Sequence, residues 1–285
     1  MGQNHVKVTL ENEIQTGKFS HAYLFCGPRA VGKTTLARLL AKSINCQERK
    51  NGEYEPCNNC SHCQEITEGK SLDVVEIDAA SHTGVDNVRE NIIAASKISP
   101  SQLDYKVFVI DEVHMLSISA FNALLKVLEE PPSNVIFVLC TTEVHKVPST
   151  IISRCERFDF KRVNMADMVK KLNYIAEQEG IKVDKEILEQ VARHAEGYVR
   201  DAESLLGQLV AISGKEITQK EADLVLPRSD LDMILDLLDK LVKKDVSKSV
   251  RIVNNLVDNG VDLKKFTSDL IEVLRKLMLL PEKTT

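Results

Sequence analysis

Hydrophobic residues in the first half of the 285-residue chain fall into short runs separated by longer amphipathic stretches. Four runs, "AYLF", "VVEI", "VFVI" and "VIFVL", are apolar and rich in β-branched residues, which is typical of buried strands. Between them, helical spacing predicts one helix through Leu36, Leu39 and Leu40, a second near residues 88–95, and a third over residues 121–128. This alternation from Ala22 to Phe160 predicts an α/β domain with a buried parallel sheet.

The pattern changes after "RFDFKRV", where strand signals stop. Residues 165–226 predict several amphipathic helices, with Gly180, Gly197 and Gly214 at their ends. "LPRSD", Leu226–Asp230, predicts a linker, and two further helical segments follow it. The expected organisation is an α/β domain over residues 1–160, a helical domain over 161–226 and the start of a third, helical domain over 227–285.

Composition describes a globular protein and excludes several classes. Hydrophobic residues make up 43% and charged residues 28% of the chain, and no apolar run approaches the roughly 18 residues that cross a bilayer. A net charge of -5 argues against a free-standing basic nucleic-acid binder. The seven cysteines include a tight cluster with metal-ligand spacing, which favours a reducing compartment, and so we expect a cytoplasmic protein without a membrane anchor.

The strongest motif is "GPRAVGKT", which follows the first predicted strand and opens a helix. This spacing predicts a phosphate-binding loop, because glycines let backbone N–H groups face phosphates at a helix N-terminus. Lys33 is expected to reach the β- and γ-phosphates, and Thr34 to bind Mg²⁺. The alternative without a bound nucleotide is a strand-to-helix turn with a surface lysine. The candidate nucleotide-binding residues are Gly27, Pro28, Arg29, Ala30, Val31, Gly32, Lys33, Thr34 and Thr35.

A second half of this site is predicted at "VFVIDEVH", where a buried strand delivers two carboxylates at its C-terminal end. Asp111 is suited to Mg²⁺, and Glu112 could polarise the attacking water. An acidic pair after a strand is by itself more often an exposed turn, but the phosphate loop favours the catalytic interpretation. His114 is interpreted as structural.

The stretch "CNNCSHC" predicts a metal site. Cys57, Cys60 and Cys63 have repeated C-x-x-C spacing, and Cys46 is the natural fourth ligand. Four thiolates suit tetrahedral Zn²⁺ without an open position, so the site is expected to be structural. Three unrelated loop cysteines are the alternative. His62 is interpreted as a solvent-facing neighbour, and three other cysteines are expected to be small buried residues: Cys26, Cys140 and Cys155.

These motifs occur in a combination that resembles one family. "HAYLFCGPRAVGKTTLARLLAKSINC", the cysteine cluster, "DVVEIDAASHTGVDNVRE", "KVFVIDEVHMLSISAFNALLKVLEEPP", "TTEVHKVPSTIISRC" and "GYVRDAESLLGQL" are together similar to the gamma/tau subunits of bacterial DNA polymerase III clamp loaders, which are AAA+ ATPases. The resemblance extends from Gly2 to about Leu226.

The resemblance implies a fold and a function. The fold is an AAA+ P-loop sheet domain with a zinc module at about residues 46–63, followed by a helical lid and a partial helical collar. The function is that of an ATPase that binds ATP, Mg²⁺ and Zn²⁺ and loads the β sliding clamp on primer-template DNA. The implied partners are delta and delta-prime subunits and other gamma/tau copies in a hetero-oligomer.

The resemblance also implies roles for three residues. Without it, Arg154 would be interpreted as an ordinary surface arginine, Thr141 as a hydroxyl at the end of a strand and Arg200 as a solvated arginine on a helix. Arg154, in "STIISRC", resembles the arginine finger that acts in trans on a neighbouring subunit's ATP. Thr141, with Thr142 beside it, resembles sensor 1. Arg200 resembles sensor 2 of the lid.

Two departures from the family pattern carry expectations. The usual N-terminal segment with an Arg-Pro stretch does not precede "GQNHV", so we expect weaker recognition of the base. The collar stops at Thr285 without a tau-type extension, so we expect weaker assembly and no direct contact with polymerase or helicase.

Three alternatives remain at this point. A delta-prime-like subunit shares the cysteine cluster and "SRC" but serves as a scaffold, and the intact phosphate loop with its acidic pair opposes it. A zinc-stapled adaptor would bind protein partners without catalysis. A helicase or translocase acting alone would unwind DNA without a clamp.

Overall fold

The structure is a computed structural model and describes residues 2–50, 52–81, 89–226, 231–258 and 260–279. The chain begins with helix α1, Asn4–Thr16, which the hydrophobic pattern did not bring out. Its apolar side is narrow, since only Val6, Leu10 and Ile14 are buried. These three residues nevertheless pack onto the sheet, so the first helix belongs to the core of the α/β domain.

A five-stranded parallel sheet organises this domain, in the order β2-β3-β4-β1-β5. In the register, Cys26 lies beside Thr141 and Asp78 beside Asp111, so the C-terminal ends of the strands share one edge. Parallel sheets bind ligands at this edge. The strands are β1 Ala22–Cys26, β2 Val74–Asp78, β3 Lys106–Asp111, β4 Val135–Thr141 and β5 Glu156–Asp159.

Helices cover both faces of the sheet, which explains why the strands read as continuous apolar runs. On one face α1 and α2, Lys33–Asn45, pack on Phe25, Val109 and Val138. On the other face α4, Ile118–Glu129, packs on Phe108 and Phe137, whose rings stack with centroids 5.4 Å apart. Full burial of one such side chain contributes about 1.5–3 kcal/mol. Two short helices complete the domain, α3 Ser61–Thr67 and α5 Ser149–Ile152.

The helix predicted near Val88 to Ala95 lies only partly within the described residues, since 82–88 are outside them. The described part is a π-helical turn over Arg89–Ala94. Ile92 and Ile93 pack against the face of the sheet that α4 covers.

The helical region after the sheet has its own apolar core, which includes Leu172, Leu188 and Leu206. Its helices are α6 Met165–Glu179, α7 Lys185–His194, α8 Val199–Ser213 and α9 Gln219–Val225. The expectation that strands end after "RFDFKRV" was wrong, because β6, Lys182–Val183, pairs in parallel with β7, Glu216–Ile217. Strands of two residues are too short to show an alternating pattern.

Three helices form the last part of the chain, where the sequence predicted two. They are α10 Leu231–Val242, α11 Val246–Asp258 and α12 Leu263–Met278. The unexpected break is at Lys244, whose φ of 57° ends α10 without the glycine that usually marks such a turn. Most of the predicted linker, residues 227–230, lies outside the described residues, and the domain boundaries stay predictions. Within the described ranges, no helix is long and apolar enough to cross a membrane.

Candidate functional site

The loop after β1 is fixed to the C-terminal edge of the sheet. The N–H of Gly27 donates to the carbonyl of Thr141 at 3.1 Å, and that of Phe160 donates to the carbonyl of Cys26 at 2.6 Å. Gly27 has a φ of 147°, and a Cβ there would lie 2.4 Å from the carbonyl oxygen of Phe160. The loop can therefore begin in this position only with glycine.

The lysine of the loop is buried at the start of α2. Gly32, with a φ of 99°, turns the chain into this helix, and the next side chain, Lys33, is only 5% exposed. Its Nζ donates to the carbonyls of Gly27 and Pro28 at 2.8 Å each. Burial lowers the pKa of Lys33 below its ordinary value, and the negative charge of Glu112 is the largest opposing influence. A buried ammonium at a helix N-terminus attracts an anion.

The acidic pair meets the phosphate loop at the end of β3. The Thr34 hydroxyl donates to Oδ2 of Asp111 at 2.8 Å, across 77 positions of sequence. The other carboxylate oxygen of Asp111 accepts from the N–H of Glu112 at 2.9 Å. The structure therefore brings together the two residues that the sequence assigned to Mg²⁺, and a hydroxyl beside a carboxylate is a donor set that Mg²⁺ accepts.

Glu112 has a left-handed backbone, with a φ of 46°. Its Oε2 accepts from the Thr142 hydroxyl at 2.9 Å and from the Thr142 N–H at 3.3 Å. Thr141 is completely buried, and its hydroxyl lies 3.1 Å from Nδ1 of His114 and accepts from the N–H of Glu143 at 3.0 Å. Of the two adjacent threonines, Thr142 is thus the one that contacts Glu112 directly.

A cavity of about 800 Å³ opens between this edge of the sheet and the helical region. Lys33, Thr34, Asp111 and Glu112 line it from the sheet side, and Arg200 lines it from the start of α8. The expected sensor 2 residue therefore faces the same space as the phosphate loop. The other candidate loop residues that line the cavity are Arg29, Ala30, Val31, Gly32 and Thr35.

The helical region contacts the phosphate loop itself. The N–H of Val199 donates to the carbonyl of Ala30 at 3.0 Å. The guanidinium of Arg29 lies 5.8 Å from the ring centroid of Tyr198 and 3.6 Å from the carboxylate of Asp201. The start of α8 is thus in direct contact with the loop that would hold phosphates.

Helix α1 closes another side of the cavity, which the sequence interpretation missed. Gln3 and Lys7 line the cavity. The side-chain amide of Gln3 pairs with the backbone of Lys161, donating to its carbonyl at 2.5 Å and accepting from its N–H at 3.1 Å. The signal available in the sequence was only the weak spacing of Val6, Leu10 and Ile14.

Arg154 lies away from this cavity, two residues after the end of α5. It is not among the described residues that line the cavity, and its side chain is 34% exposed. Its Nη2 donates to Oε1 of Glu129 at 2.7 Å, and its Nη1 donates to the carbonyl of Thr150 at 2.8 Å. The guanidinium is therefore held at the surface, where another molecule could meet it.

The four cysteines assigned to a metal converge as expected. The Sγ atoms of Cys46, Cys57, Cys60 and Cys63 all lie within 4.8 Å of one another. Tetrahedral Zn²⁺ with Zn–S bonds of 2.3 Å would separate the sulfurs by about 3.8 Å, so the cluster fits this ion. Backbone N–H groups of Cys57 and Cys60 point at Sγ of Cys46 and Cys57, each at 3.3 Å, as suits thiolates.

The structure also tests the burial that the sequence predicted for His62 and for the three cysteines outside the cluster. His62 is half-buried rather than solvent-facing, because its Nδ1 lies 3.0 Å from the carbonyl of Asn45 and its Nε2 lies 2.9 Å from the amide of Gln47. Cys26 and Cys140 are buried as expected, whereas Cys155 is half-buried.

Solved structures place this architecture in a known class. The Holliday junction branch migration motor RuvB of Thermotoga maritima superposes with a TM-score of 0.60 at 16% identity, covering 92% of this chain and 83% of that chain. At this identity the likeness concerns the fold alone. The parallel sheet, the phosphate loop and the helical region facing it define an AAA+ fold, which confirms the predicted class.

Family models narrow the class. Residues 2–164 match a DNA polymerase III delta subunit model, residues 167–215 the ATPase lid domain of a DNA polymerase III clamp loader subunit, and residues 217–282 domain III of DNA polymerase III subunits gamma and tau. The chain belongs to the gamma/tau family of DNA polymerase III subunits, and the resemblance stated from the motifs is confirmed.

Individual relatives agree with this assignment. The chain is 47% identical to DNA polymerase III subunit tau of Bacillus subtilis over 98% of its own length and 49% of that protein. It is 38% identical to subunit tau of Escherichia coli, covering 98% of this chain and 43% of that one. It is 42% identical to subunit gamma of Buchnera aphidicola from Acyrthosiphon pisum, covering 97% of this chain and 75% of that protein. The chain thus spans about half the length of the tau subunits.

Proposed function

We propose that the protein is the ATPase motor subunit of a DNA polymerase III clamp loader, which uses ATP binding and hydrolysis to load the β sliding clamp on primed DNA. The observation that carries this proposal is the contact between Thr34 and Asp111 at the mouth of a cavity that Lys33 and Arg200 also line. An adaptor or a non-hydrolysing scaffold has no need for this arrangement.

The residues would divide the work of phosphoryl transfer. The loop N–H groups and Lys33 would hold the phosphates, and a phosphate oxygen would compete with the carbonyls of Gly27 and Pro28 for the lysine ammonium. Thr34 and Asp111 would hold Mg²⁺, which neutralises charge on the phosphates. Glu112 would orient and polarise the attacking water.

Two polar groups would report on the γ-phosphate. Thr141 is proposed as sensor 1, and Thr142 shares this role through its hydrogen bond to Glu112. Arg200 is proposed as sensor 2, because it faces the cavity from a helix whose first N–H contacts the phosphate loop. ATP would therefore draw the lid towards the sheet.

Arg154 is proposed to act in trans. Its position outside the cavity leaves it without a role in this chain's own site, whereas a neighbouring subunit could receive it. A fixed cation there would meet charge that develops in the transition state, a contribution on the order of 10³–10⁵ in other phosphoryl-transfer systems. Hydrolysis would then depend on assembly.

Assembly has a candidate surface on the last three helices. Their small core buries Ile234, Leu237, Leu256 and Phe266, yet many other apolar side chains on the same helices are exposed. Exposed apolar patches of this kind mark protein–protein contacts. We propose that they join other gamma/tau copies and delta and delta-prime subunits in a cytoplasmic hetero-oligomer. The exposed residues include Leu235, Val242, Val246, Val250, Val257, Ile271 and Leu277.

The cysteine cluster is proposed to hold a structural Zn²⁺. All four protein ligands are thiols that already lie together, which leaves no open position for catalysis. The ion would supply only cross-linking of the segment between α2 and α3.

Calorimetric titration of the purified chain with Mg-ATP tests the nucleotide site. We expect Lys33→Ala to abolish binding while zinc content stays the same, since the Lys33 ammonium lies in the loop that would hold the phosphates, at the N-terminus of α2. Glu112→Gln is the matched variant and should retain binding but lose turnover in the assembled loader. Failure of the folded, unaltered chain to bind Mg-ATP would count against the motor role. Binding without turnover in the full assembly would favour the delta-prime-like scaffold.

A further inference from the structure

A histidine that the sequence interpretation left as structural contacts the catalytic end of the site. His114 lies in the short helical turn Val113–Met115, and its side chain is only 5% exposed. Its Nδ1 lies 3.1 Å from the hydroxyl oxygen of Thr141 and 3.3 Å from Oε2 of Glu112, and its Nε2 lies 3.3 Å from Oε1 of Glu143. Both polar atoms of a buried imidazole thus face polar partners.

We propose that His114 is a positioning residue for Glu112, holding its carboxylate in the orientation that activates the attacking water. This inference rests on the proposed ATPase function and deepens it, because it adds a residue that touches neither nucleotide nor metal. His114 acts through Glu112 and is not itself a catalytic residue.

The contacts around Glu112 support a positioning role. Thr142 donates to Oε2 through its hydroxyl and its N–H, and Nδ1 of the imidazole lies 3.3 Å from the same oxygen. Two groups that converge on one carboxylate oxygen restrict rotation of the side chain and leave the second oxygen to accept from water. General-base catalysis depends on this geometry as much as on basicity.

The imidazole is itself held on its far side. Glu143 faces Nε2, and the same carboxylate accepts from Nζ of Lys146, with N–O distances of 3.0 and 2.9 Å. The N–H of Glu143 also donates to the Thr141 hydroxyl that faces Nδ1. Because each ring nitrogen faces a carboxylate oxygen, the positioning role requires an imidazole that donates from both nitrogens, to Glu112 through Nδ1 and to Glu143 through Nε2.

Substitution of His114 distinguishes a packing role from a positioning role. A packing role would depend on volume and would be served about equally by side chains of similar size. A positioning role depends on which nitrogen is replaced. The amide nitrogen of asparagine falls near the place of Nδ1, and that of glutamine falls near the place of Nε2.

The test compares His114→Asn with His114→Gln in the assembled clamp loader, measuring ATP affinity, KM and kcat. We expect both variants to bind ATP as the unaltered protein does. Turnover should fall by about tenfold or more in His114→Gln, which loses the donor towards Glu112, and by less than about threefold in His114→Asn, which keeps it. His145→Asn is the matched control, because His145 is 72% exposed and its Nε2 lies 3.5 Å from Oε2 of Glu143.

Glu112→Gln separates failure of this inference from failure of the proposed function. If Glu112→Gln leaves turnover intact, the assignment of Glu112 itself is wrong. If Glu112→Gln stops turnover but the two His114 variants have equal kcat, the positioning role is overturned. Should neither His114 variant fold, Glu143→Gln carries the test: slower turnover at unchanged ATP affinity supports the role, and unchanged turnover overturns it.

Discussion

Tyr23 and Glu13 form a polar contact that ties α1 to the sheet. The tyrosine is fully buried, and its hydroxyl donates to Oε2 of Glu13 at 2.5 Å and accepts from the N–H of Ser20 at 2.9 Å. Burial raises the pKa of Glu13 from its ordinary 4.5 to about 7; the Tyr23 hydrogen bond opposes this rise and the charge of Glu156 adds to it. The contact between α1 and the sheet therefore contains a half-buried carboxyl group whose pKa is raised to about 7.

This pKa predicts a pH dependence of stability. Because the folded-state pKa lies above the unfolded one, the contribution of Glu13 is fully present below about pH 4.5 and is lost as the pH rises to about 7. Glu13→Gln cannot ionise and still accepts from Tyr23. The quantity to compare is the melting temperature of Glu13→Gln minus that of the unaltered protein. We expect this difference to be more positive at pH 8 than at pH 5.

Thermal unfolding at the two pH values checks this expectation. Glu55→Gln serves as the control, because Glu55 is exposed and removal of its charge should shift both temperatures alike. A Glu13→Gln difference that is the same at both pH values would contradict the assignment.

The segment between α2 and α3 shows how an element can depend on a few side chains. Cys46 directly follows α2, and Cys60 and Cys63 lie at the start of α3, a helix of seven residues. Isolated helices of this length are not stable in water. The proposed Zn²⁺ on the four convergent thiols would supply the attachment that α3 requires, together with burial of Ile66.

Removal of one thiol should accordingly destabilise the α/β domain. We expect Cys60→Ser to lose its bound zinc and to melt lower by on the order of 5–10 °C, because structural Zn²⁺ contributes its binding free energy to folding. Zinc content by atomic emission and calorimetric melting are the measurements. Cys155 lies outside the cluster, so Cys155→Ser should have the zinc content and the melting temperature of the unaltered protein. A metal-free variant that melts with the unaltered protein would show that the cluster is dispensable for the fold.

At the level of the complete chain, the cavity is built from parts that are distant in sequence. The sheet edge, α1 and the lid each contribute, while Arg154 faces outwards beside Glu129. Among the described residues, Lys33, Thr34, Asp111, Glu112 and Arg200 line the cavity, whereas Gly27, Pro28, Thr141 and Arg154 do not. The outward position of Arg154 is consistent with the proposal that hydrolysis requires assembled subunits.

Arg154→Ala tests this dependence. We expect it to leave ATP binding unchanged and to lower clamp-stimulated turnover of the loader reconstituted with delta, delta-prime and the clamp by at least about tenfold, since a fixed cation is removed from the neighbour's transition state. Arg157→Ala is the control, because Arg157 is similarly exposed and paired with Asp159. Equal turnover of the Arg154→Ala and unaltered loaders would exclude the trans role.

Much of the fold and site was predictable because its signals are local. "GPRAVGKT" after a buried strand specifies a loop, a helix start and a lysine, and apolar β-branched runs specify strands covered on both faces. Elements with weak local signals were missed: α1 buries only three side chains, and β6 and β7 contain two residues each. One of the last three helices was missed because Lys244 turns the chain without glycine.

The sequence by itself thus indicated the phosphate loop, the acidic pair and the cluster of Cys57, Cys60 and Cys63, since each depends on spacing within a few residues, and the combination of motifs carried the family resemblance that indicated the class of protein. Only the tertiary structure decided that Thr142 contacts Glu112 directly, that His114 faces Glu112 and Glu143, and that Arg154 lies outside the cavity. These relations join side chains on different strands and loops. Their distances are set by the order of strands in the sheet and by the path of each connection, neither of which appears in the pattern of any single segment.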